Sequence, residues 1–475
     1  MRELPLPPGP TDDPNAPIRP ARSGPASGTD PAGAGTAGAG TAGAGTGLVD
    51  VPSMLVVADK FPPVLGGIQT FAYHLAAGLP ADRVVVVAPA APSAAAFDRT
   101  LPFPVIRMDE RILTSPGSRR LLRSVVRSEH CEAAWFPTAA PLGLLAPTLR
   151  TAGISRVVSS SHGHEVAWSR LPGGWSLVRA VAARADVLTY LTAFTRRRLL
   201  AVAPPGTTLA RLTGGVDTGR FRPRVGGEEI RRQHGWSDRP VVICVARLVA
   251  RKGQDMLIRG WPVVLRRHPA ARLLLVGQGP AADRLRRLAT QVGVADAVHF
   301  AGAVTEQDLP AYLDAADVFA MPSRTRLLGL DLEGLGLSAL EAAASGLPVV
   351  TGAQGGAPDV VLPGRTGVVV DGRDRHAVAT AVADLLDDPE RSARMGLAGR
   401  DWMCRNWNWG ELSRRLAGLL AGGPDSDLEG VAGHSFGSSA AHREVPDGVV
   451  SSNIGPSGMI SDDIVPDRID VSQGG

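Results

Sequence analysis

The sequence predicts an α/β protein built from two open sheets of parallel strands. Between about residues 53 and 421, short apolar runs alternate with helical patterns, and this alternation is typical of βα units. The runs form two sets, separated by a Pro- and Gly-containing connection at 220–227. The length of 475 residues exceeds what one ordinary core accommodates, so two domains are expected.

Six strands are predicted in each half of the chain. Because open α/β sheets bind ligands at the carboxyl ends of their strands, we expect two Rossmann-like domains facing each other across a cleft. The strands of the first half are Leu55–Ala58, Val84–Ala88, Val105–Met108, Ala133–Phe136, Val157–Ser160 and Val187–Leu191. Those of the second half are Val241–Ala246, Arg272–Val276, Val298–Ala301, Val318–Met321, Val349–Thr351 and Gly367–Val370.

The domains are predicted at 53–222 and 223–400. Residues 401–421, with three tryptophans, are predicted to form a helix that packs at the domain junction. The leader 1–52 and the tail 422–475 are rich in small and turn residues without periodicity, so both are predicted to be disordered. The leader has no signal-peptide pattern, and we expect a protein that starts at Met54 to keep its activity.

Bulk composition narrows the class of protein. The net charge of +4 does not indicate a polycation built for nucleic acid. Three cysteines without metal-site spacing, Cys131, Cys244 and Cys404, favour a reducing cytoplasm. No apolar stretch reaches the length of a transmembrane helix.

Glu333 and Glu341 bracket seven residues, and this spacing is the most informative motif of the sequence. Eight positions span about two helical turns, so both carboxylates are predicted on one helix, with Glu333 at its positive end. Such a helix could hold a diol-rich ligand that carries a diphosphate. The alternative is two solvated glutamates, which is the ordinary expectation for an isolated pair.

Arg247 closes a predicted strand, and Lys252 follows five positions later. Cations at the carboxyl end of a strand point into the ligand crevice and suit a diphosphate leaving group. A solvated basic loop is the alternative, and for neighbouring Arg251 that alternative stays open.

Two glycines follow the first strand in Pro62-Pro-Val-Leu-Gly-Gly67, before an amphipathic helix. Their backbone N–H groups could approach a phosphate at the N-terminus of that helix, although a plain tight turn is the commoner role of such glycines.

His162 ends another strand of the first half, in His162-Gly-His-Glu165. It could hydrogen-bond a sugar hydroxyl or stabilise charge at the reacting centre. A metal cluster is disfavoured because the helical spacing of the zinc-hydrolase motif is missing.

Taken in order along the chain, these residues resemble the retaining glycosyltransferases of the GT-B fold that carry the E-x7-E signature. The resemblance covers about Met54 to Leu420. It implies an acceptor-side N-terminal domain and a C-terminal domain that binds the nucleotide sugar. It also implies front-face transfer with retention, without a metal or other cofactor, in which a donor phosphate oxygen assists deprotonation of the acceptor hydroxyl.

The resemblance also assigns roles to single residues. The diphosphate would be bound by Arg247 and Lys252, the ribose by Glu341, and the donor sugar by Glu333 with His162. The catalytic residues implied are therefore His162, Glu333, Arg247 and Lys252. The backbone at Gly67 would touch the phosphate, and the backbone near Val304 would meet the base.

Two stretches narrow the resemblance further. Ser161–Trp168, and Met321–Arg326 followed by Gly329–Gly336, are similar to the actinobacterial phosphatidylinositol mannoside mannosyltransferases that use GDP-mannose. The resemblance implies GDP-mannose as donor and a glycolipid acceptor at an anionic membrane surface.

Basic and apolar residues alternate in a stretch that fits such a surface. An interfacial helix on anionic lipid is one interpretation of this pattern, and an ordinary arginine-rich surface is the other. The basic residues are Arg111, Arg119, Arg120, Arg123 and Arg127, interleaved with Leu121, Leu122, Val125 and Val126, and the pattern recurs in Arg196–Leu200.

Other functions remain open at this point. The same fold could use a soluble acceptor or another nucleotide sugar, or it could bind nucleotide sugars without catalysis. A dinucleotide-dependent dehydrogenase is disfavoured because no Gly-x-Gly-x-x-Gly follows a first strand.

Overall fold

The computed structural model describes residues 51–64, 66–108, 115–163 and 173–423. Apart from residues 51, 52, 422 and 423, the predicted leader and tail lie outside these ranges. The described residues belong to one compact unit. Within it, two separate parallel sheets confirm the predicted α/β class.

The first sheet has seven strands in the order β3-β2-β1-β4-β5-β6-β7. Its central strands are apolar and buried on both faces, as parallel strands covered by helices must be. Its six longer strands were predicted, and the three-residue edge strand β7 was missed. The bounds are β1 Met54–Val57, β2 Val84–Pro89, β3 Val105–Met108, β4 Ala133–Phe136, β5 Arg156–Ser161, β6 Val187–Tyr190 and β7 Leu209–Arg211.

The second sheet has six strands in the order β10-β9-β8-β11-β12-β13. All six were predicted, to within one residue at each end. The bounds are β8 Val241–Val245, β9 Arg272–Val276, β10 Val298–Gly302, β11 Val318–Met321, β12 Val349–Gly352 and β13 Gly367–Val370.

Helices connect the strands and cover both sheets. The helix predicted after the Gly-Gly turn is present as α1, and it buries Phe71, Ala72 and Leu75. In the first half the helices are α1 Gly67–Ala77, α2 Ala94–Asp98, α3 Pro116–Ser128, α4 Ala146–Arg150, α5 Gly174–Ala182 and α6 Ala193–Val202. In the second half they are α7 Gly227–Gln233, α8 Gln254–Arg267, α9 Ala282–Val292, α10 Leu309–Asp314, α11 Leu337–Ala344, α12 Arg375–Asp387, α13 Pro389–Asn406 and α14 Trp409–Ala421.

The last two helices join the halves of the molecule. α13 packs against α11 of the second half, whereas α14 packs against α1, β4 and β5 of the first half. The predicted boundary at residue 400 therefore falls inside α13. The turn between α13 and α14 is tied to the interdomain connection, because Val216 donates its backbone N–H to the carbonyl of Trp407 at 2.8 Å.

The strand order reverses once in each sheet. In the first sheet the reversal lies between β1 and β4, and in the second between β8 and β11. Such topological switch points open a crevice at the carboxyl ends of the strands, where open α/β sheets bind ligands. Among the described residues, no helix is long and apolar enough to cross a bilayer.

Candidate active site

The switch point of the second sheet holds a basic loop. The 3₁₀ turn Ala250–Lys252 follows β8 and ends at Gly253, which has a φ of 82°. A Cβ atom at Gly253 would lie 2.1 Å from the carbonyl oxygen of Pro322, just after β11. The close approach therefore requires glycine, and it holds the basic loop against the neighbouring strand end.

Lys252 forms an ion pair with Glu333 at this point. Its Nζ lies 2.5 Å from Glu333 Oε2, and the two side chains are only 11% and 10% exposed. Glu333 Oε2 has no hydrogen bond of good geometry among the described residues, so the contact is an ion pair without an aligned hydrogen bond. Lys252, predicted to bind the diphosphate, and Glu333, predicted to bind the sugar, are therefore in direct contact.

Arg251 belongs to the same charge group. Its Nη1 donates to Asp331 Oδ1 at 3.2 Å, and its Nε lies 3.7 Å from Glu333 Oε2. Arg251 is therefore not merely part of a solvated loop, the alternative that the sequence had left open for it. Its spacing from Glu333 in sequence gave no sign of this contact, which depends on the fold of the Asp331–Glu333 segment.

A second ion pair behind the basic loop was also missed. Arg324 donates two hydrogen bonds to Asp255, at 2.9 and 2.7 Å, and both side chains are nearly buried. The backbone N–H of Arg324 donates to the carbonyl of Arg251 at 2.8 Å. Arg324 follows β11 by three positions, so the rule that ligand sites lie at strand ends could have identified it.

The prediction that Glu333 and Glu341 share one helix was wrong. α11 begins only at Leu337, after Gly336 with a φ of 98°, and Glu333 lies in the irregular segment before it. The carbonyl of Glu333 accepts a hydrogen bond from the N–H of Gly356 at 2.9 Å. The backbone of Glu333 is therefore held by the glycine turn after β12 and not by hydrogen bonds within a helix.

Glu341 lies in a different environment, in the second turn of α11. Burial raises the pKa of its carboxyl group to about 7, with a further contribution from Glu306 and an opposing one from Arg220. The two glutamates therefore stand on either side of the N-terminus of α11. One lies beside Lys252, and the other near the connection between the domains.

The first sheet brings His162 to the same region. His162 follows β5, is 8% exposed, and has its Nε2 2.6 Å from the carbonyl oxygen of Pro137. Its ring meets the ring of Phe71 edge-on at 4.7 Å. A Cβ atom at Gly334 would lie 2.8 Å from the carbonyl oxygen of His162, so the segment of Glu333 directly touches the first domain.

Gly67 also lies at this junction. It is the first residue of α1, and a Cβ atom there would lie 3.7 Å from Leu337 Cδ1, at the start of α11. The structure thus brings the N-termini of two helices together with Lys252, Glu333 and His162. Helix N-termini carry partial positive charge, which favours a phosphate at this position.

Arg247 and Val304 lie farther along the same sheet edge. Arg247 follows β8 and its side chain is exposed, whereas Val304 follows β10 and is half-buried. Val304 stands two positions from Glu306, which contributes to the raised pKa of Glu341. His164 and Glu165 lie outside the described residues.

The chain matches two protein families. Residues 227–402 match Glycosyl transferases group 1, and residues 65–220 match Glycosyltransferase Family 4. The two matches meet at the connection between the sheets.

Relatives with assigned activities are similar over most of the chain. The chain is 45% identical over 375 residues to the GDP-mannose-dependent alpha-(1-6)-phosphatidylinositol monomannoside mannosyltransferase of Mycolicibacterium smegmatis, covering 78% of this chain and 98% of that protein. It is 43% identical over 376 residues to the GDP-mannose-dependent monoacylated alpha-(1-6)-phosphatidylinositol monomannoside mannosyltransferase of Corynebacterium glutamicum, with the same coverage.

Solved structures share the fold at lower identity. The crystal structure of Anabaena HepE in complex with UDP matches with a TM-score of 0.67 and 18% identity, covering 78% of this chain and 100% of that one. At this identity the likeness concerns the fold alone.

Proposed function

The chain belongs to the same glycosyltransferase family as these mannosyltransferases, and we propose that it transfers mannose from GDP-mannose to a phosphatidylinositol mannoside with retention of configuration. It is a glycosyltransferase with the GT-B fold, as the sequence predicted. The observation that carries the finer proposal is the Lys252–Glu333 pair, which lies at one switch point. Gly334, the residue after Glu333, contacts the carbonyl oxygen of His162 in the other domain. The names of the relatives support the donor and the acceptor.

The donor would lie along the carboxyl edge of the second sheet. Lys252 and Arg247 bind the diphosphate, Glu341 accepts hydrogen bonds from the ribose, and the base lies at the backbone near Val304. The mannose lies between Glu333 and His162, and Gly67 at the start of α1 meets a phosphate oxygen.

When the donor binds, Lys252 would exchange its ion pair with Glu333 for one with the diphosphate. Lys252 leaves Glu333 for the diphosphate, whose negative charge grows as the glycosidic bond breaks. Glu333 is then free to accept a hydrogen bond from a mannose hydroxyl. The acceptor hydroxyl attacks from the face of the leaving group, and its proton passes to a donor phosphate oxygen, so no protein nucleophile is needed.

The acceptor requires that the protein visit a lipid surface. α3 exposes Arg119, Arg120 and Arg127, and arginines attract the protein to anionic lipid. We propose a peripheral association with the cytoplasmic face of the membrane through this helix.

The proposal is tested by incubating the purified protein with a panel of nucleotide sugars and with phosphatidylinositol monomannoside, and identifying the product by mass. We expect one added hexose with GDP-mannose and little product with UDP-sugars. Product from a UDP-sugar alone would overturn the donor assignment. Transfer to a soluble acceptor but not to the lipid would overturn the acceptor assignment.

A further inference from the structure

The glycine turn after β12, residues 354–359, contacts both halves of the molecule. On one side, Gly356 donates its backbone N–H to the carbonyl of Glu333 at 2.9 Å. On the other side, Asp359 Oδ2 accepts a hydrogen bond from the backbone N–H of Ala193, the first residue of α6, at 2.7 Å. We propose that Asp359 is a positioning residue, which holds Glu333 at the reacting centre through this turn. This inference rests on the proposed function.

The turn fits closely against the segment of Glu333. A Cβ atom at Gly355, whose φ is 70°, would lie 2.5 Å from the carbonyl oxygen of Glu333. A Cβ atom at Gly356 would overlap the carbonyl oxygen of Gly334, and it would lie 2.7 Å from Thr192 Cγ2 in the first half. Both positions therefore require glycine, and a shift of the turn would move the backbone of Glu333.

The short stretch between Gly356 and Asp359 is itself held by hydrogen bonds. The backbone N–H of Asp359 donates to the carbonyl of Gly356 at 3.2 Å, in the 3₁₀ turn Ala357–Val360, whose first and last residues are buried. Before the glycines, Gln354 Oε1 accepts a hydrogen bond from the backbone N–H of Thr325 at 2.8 Å. Because backbone bonds and buried side chains fix this stretch, a displacement of the Asp359 carboxylate is transmitted to Gly356.

The charge of Asp359 attracts two groups of the first half. Its carboxylate lies at the N-terminus of α6, where the helix dipole favours a negative charge. It also attracts Arg211, at the end of β7. Burial lowers the pKa of the Arg211 guanidinium, and the charge of Asp359 opposes that shift. The same guanidinium lies over the Trp407 ring, 5.1 Å from its centroid, so Asp359 is bound to the first half by charge as well as by its hydrogen bond to Ala193.

Such a link makes the position of Glu333 depend on the first half of the molecule. Glu333 lies beside Lys252 in the second half, whereas the proposed reaction also uses His162 of the first half. A misplacement of about 1 Å at a reacting centre can lower the rate roughly a hundredfold. GDP alone does not need the link, because its proposed ligands Arg247 and Lys252 follow β8 and Glu341 lies in α11, all in the second half.

The test combines Asp359→Ala with Glu333→Gln and measures transfer from GDP-mannose to phosphatidylinositol monomannoside. Asp359→Ala should lower kcat roughly a hundredfold, whereas the Kd for GDP should stay close to the wild-type value. Asp359→Asn keeps an oxygen that can accept from Ala193, so it should lose less, and it carries the same comparison if the alanine variant does not fold. In the Glu333→Gln background, Asp359→Ala should lower kcat much less than in wild type, because the effects of residues that act through one another do not add.

Asp388→Ala is the matched control, because Asp388 likewise accepts a hydrogen bond from a backbone N–H in the first turn of a helix, that of Arg391 in α13, at 2.9 Å. It should keep the wild-type kcat and the wild-type Kd for GDP. Equal kcat values in Asp359→Ala and Asp388→Ala, or an equal loss from Asp359→Ala in both backgrounds, would overturn the inference while the proposed function stands. A loss of GDP affinity as large as the loss of kcat would also overturn it. A wild-type protein that forms no product on this lipid would overturn the proposed function, and the inference with it.

Discussion

At the scale of single residues, the proposed donor site depends on how Lys252 and Glu333 are held before the substrate binds. Lys252 and Glu333 neutralise each other at 2.5 Å with little solvent around them. Removing one partner of a buried pair leaves the other charge uncompensated, at a typical cost of about 3–5 kcal/mol for a fully buried pair and less here, where water still reaches both groups. The diphosphate can replace Glu333 as the partner of Lys252, so the site exchanges one ion pair for another.

The two glutamates should respond differently to substitution. Glu341→Gln should weaken the binding of GDP by about tenfold to a hundredfold, because a hydrogen bond to a charged group contributes about 1.5–3 kcal/mol. Glu333→Gln should not weaken GDP binding, because it removes the competitor for Lys252, and it should depress transfer. Calorimetric titration with GDP checks both variants. Equal losses of GDP affinity would contradict the separate roles, and two variants with normal affinity and normal transfer would show that both carboxylates are merely solvated.

The same titrations should depend on pH through Glu341. Burial raises the pKa of this carboxyl to about 7, so it is mostly protonated below that pH and ionised above it. An ionised carboxylate accepts hydrogen bonds from ribose hydroxyls more strongly. GDP affinity should therefore rise between about pH 6 and about pH 8 in the wild type, and Glu341→Gln should lose most of this rise. If GDP affinity rises with pH by the same amount in the variant, a group other than Glu341 causes the rise.

At the scale of helices and strands, the fold decides which residues of the basic and apolar pattern in α3 can reach a membrane. Its apolar residues Leu122, Val125 and Val126 are buried in the first domain. Of the two interpretations that the sequence left open, the burial of these three residues disfavours insertion of this helix into lipid, and Arg111 lies outside the described residues. The charged residues that this helix exposes are arginines, and they favour electrostatic contact over insertion. α6 differs, because Leu200 is 54% exposed beside exposed Arg196 and Arg197.

The exposed arginines of α3 should set the affinity for anionic lipid. Each basic residue near an anionic surface contributes about 1 kcal/mol, so Arg119→Gln with Arg120→Gln should weaken vesicle binding by roughly thirtyfold. Cosedimentation with vesicles of anionic and of zwitterionic lipid measures this, and added salt should reduce the wild-type binding.

The matched control replaces Arg284 and Arg287, which are exposed on α9 of the second domain, by glutamine. Binding that falls equally in both double variants would contradict a membrane-facing role of α3. Equal binding to anionic and zwitterionic vesicles would contradict an electrostatic attraction to the lipid.

Most of the strands could be predicted because their apolar runs are flanked by turn residues. β7 was missed because it has three residues, too few for any period to be visible. The position of Glu333 was missed for a different reason. The prediction assumed that the helix begins at Glu333 and continues through Gly334 and Gly336. Gly336 instead adopts a left-handed conformation, so α11 begins only after it.

At the scale of the whole molecule, the switch points of the two sheets lie next to each other. Hydrogen bonds at the ends of helices and in the connection between the sheets join the two halves. Asp359 of the second half accepts a hydrogen bond from the backbone N–H of Ala193, at the start of α6, at 2.7 Å. Arg400 of α13 donates to carbonyl oxygens of Thr218 and Phe221 in the connection between the sheets. The sequence predicted that two ligand edges would face each other, but the contacts that join them depend on residues distant in sequence and could not be predicted from local patterns.

A crystal structure of the protein with GDP-2-deoxy-2-fluoro-mannose, a donor that transfers slowly, tests the proposed exchange of the Lys252–Glu333 pair. We expect the diphosphate on Lys252 and Arg247, the ribose on Glu341, and the sugar between Glu333 and His162, with the Lys252–Glu333 pair broken. A diphosphate bound elsewhere, or a bound donor with that pair intact, would contradict the proposed donor site.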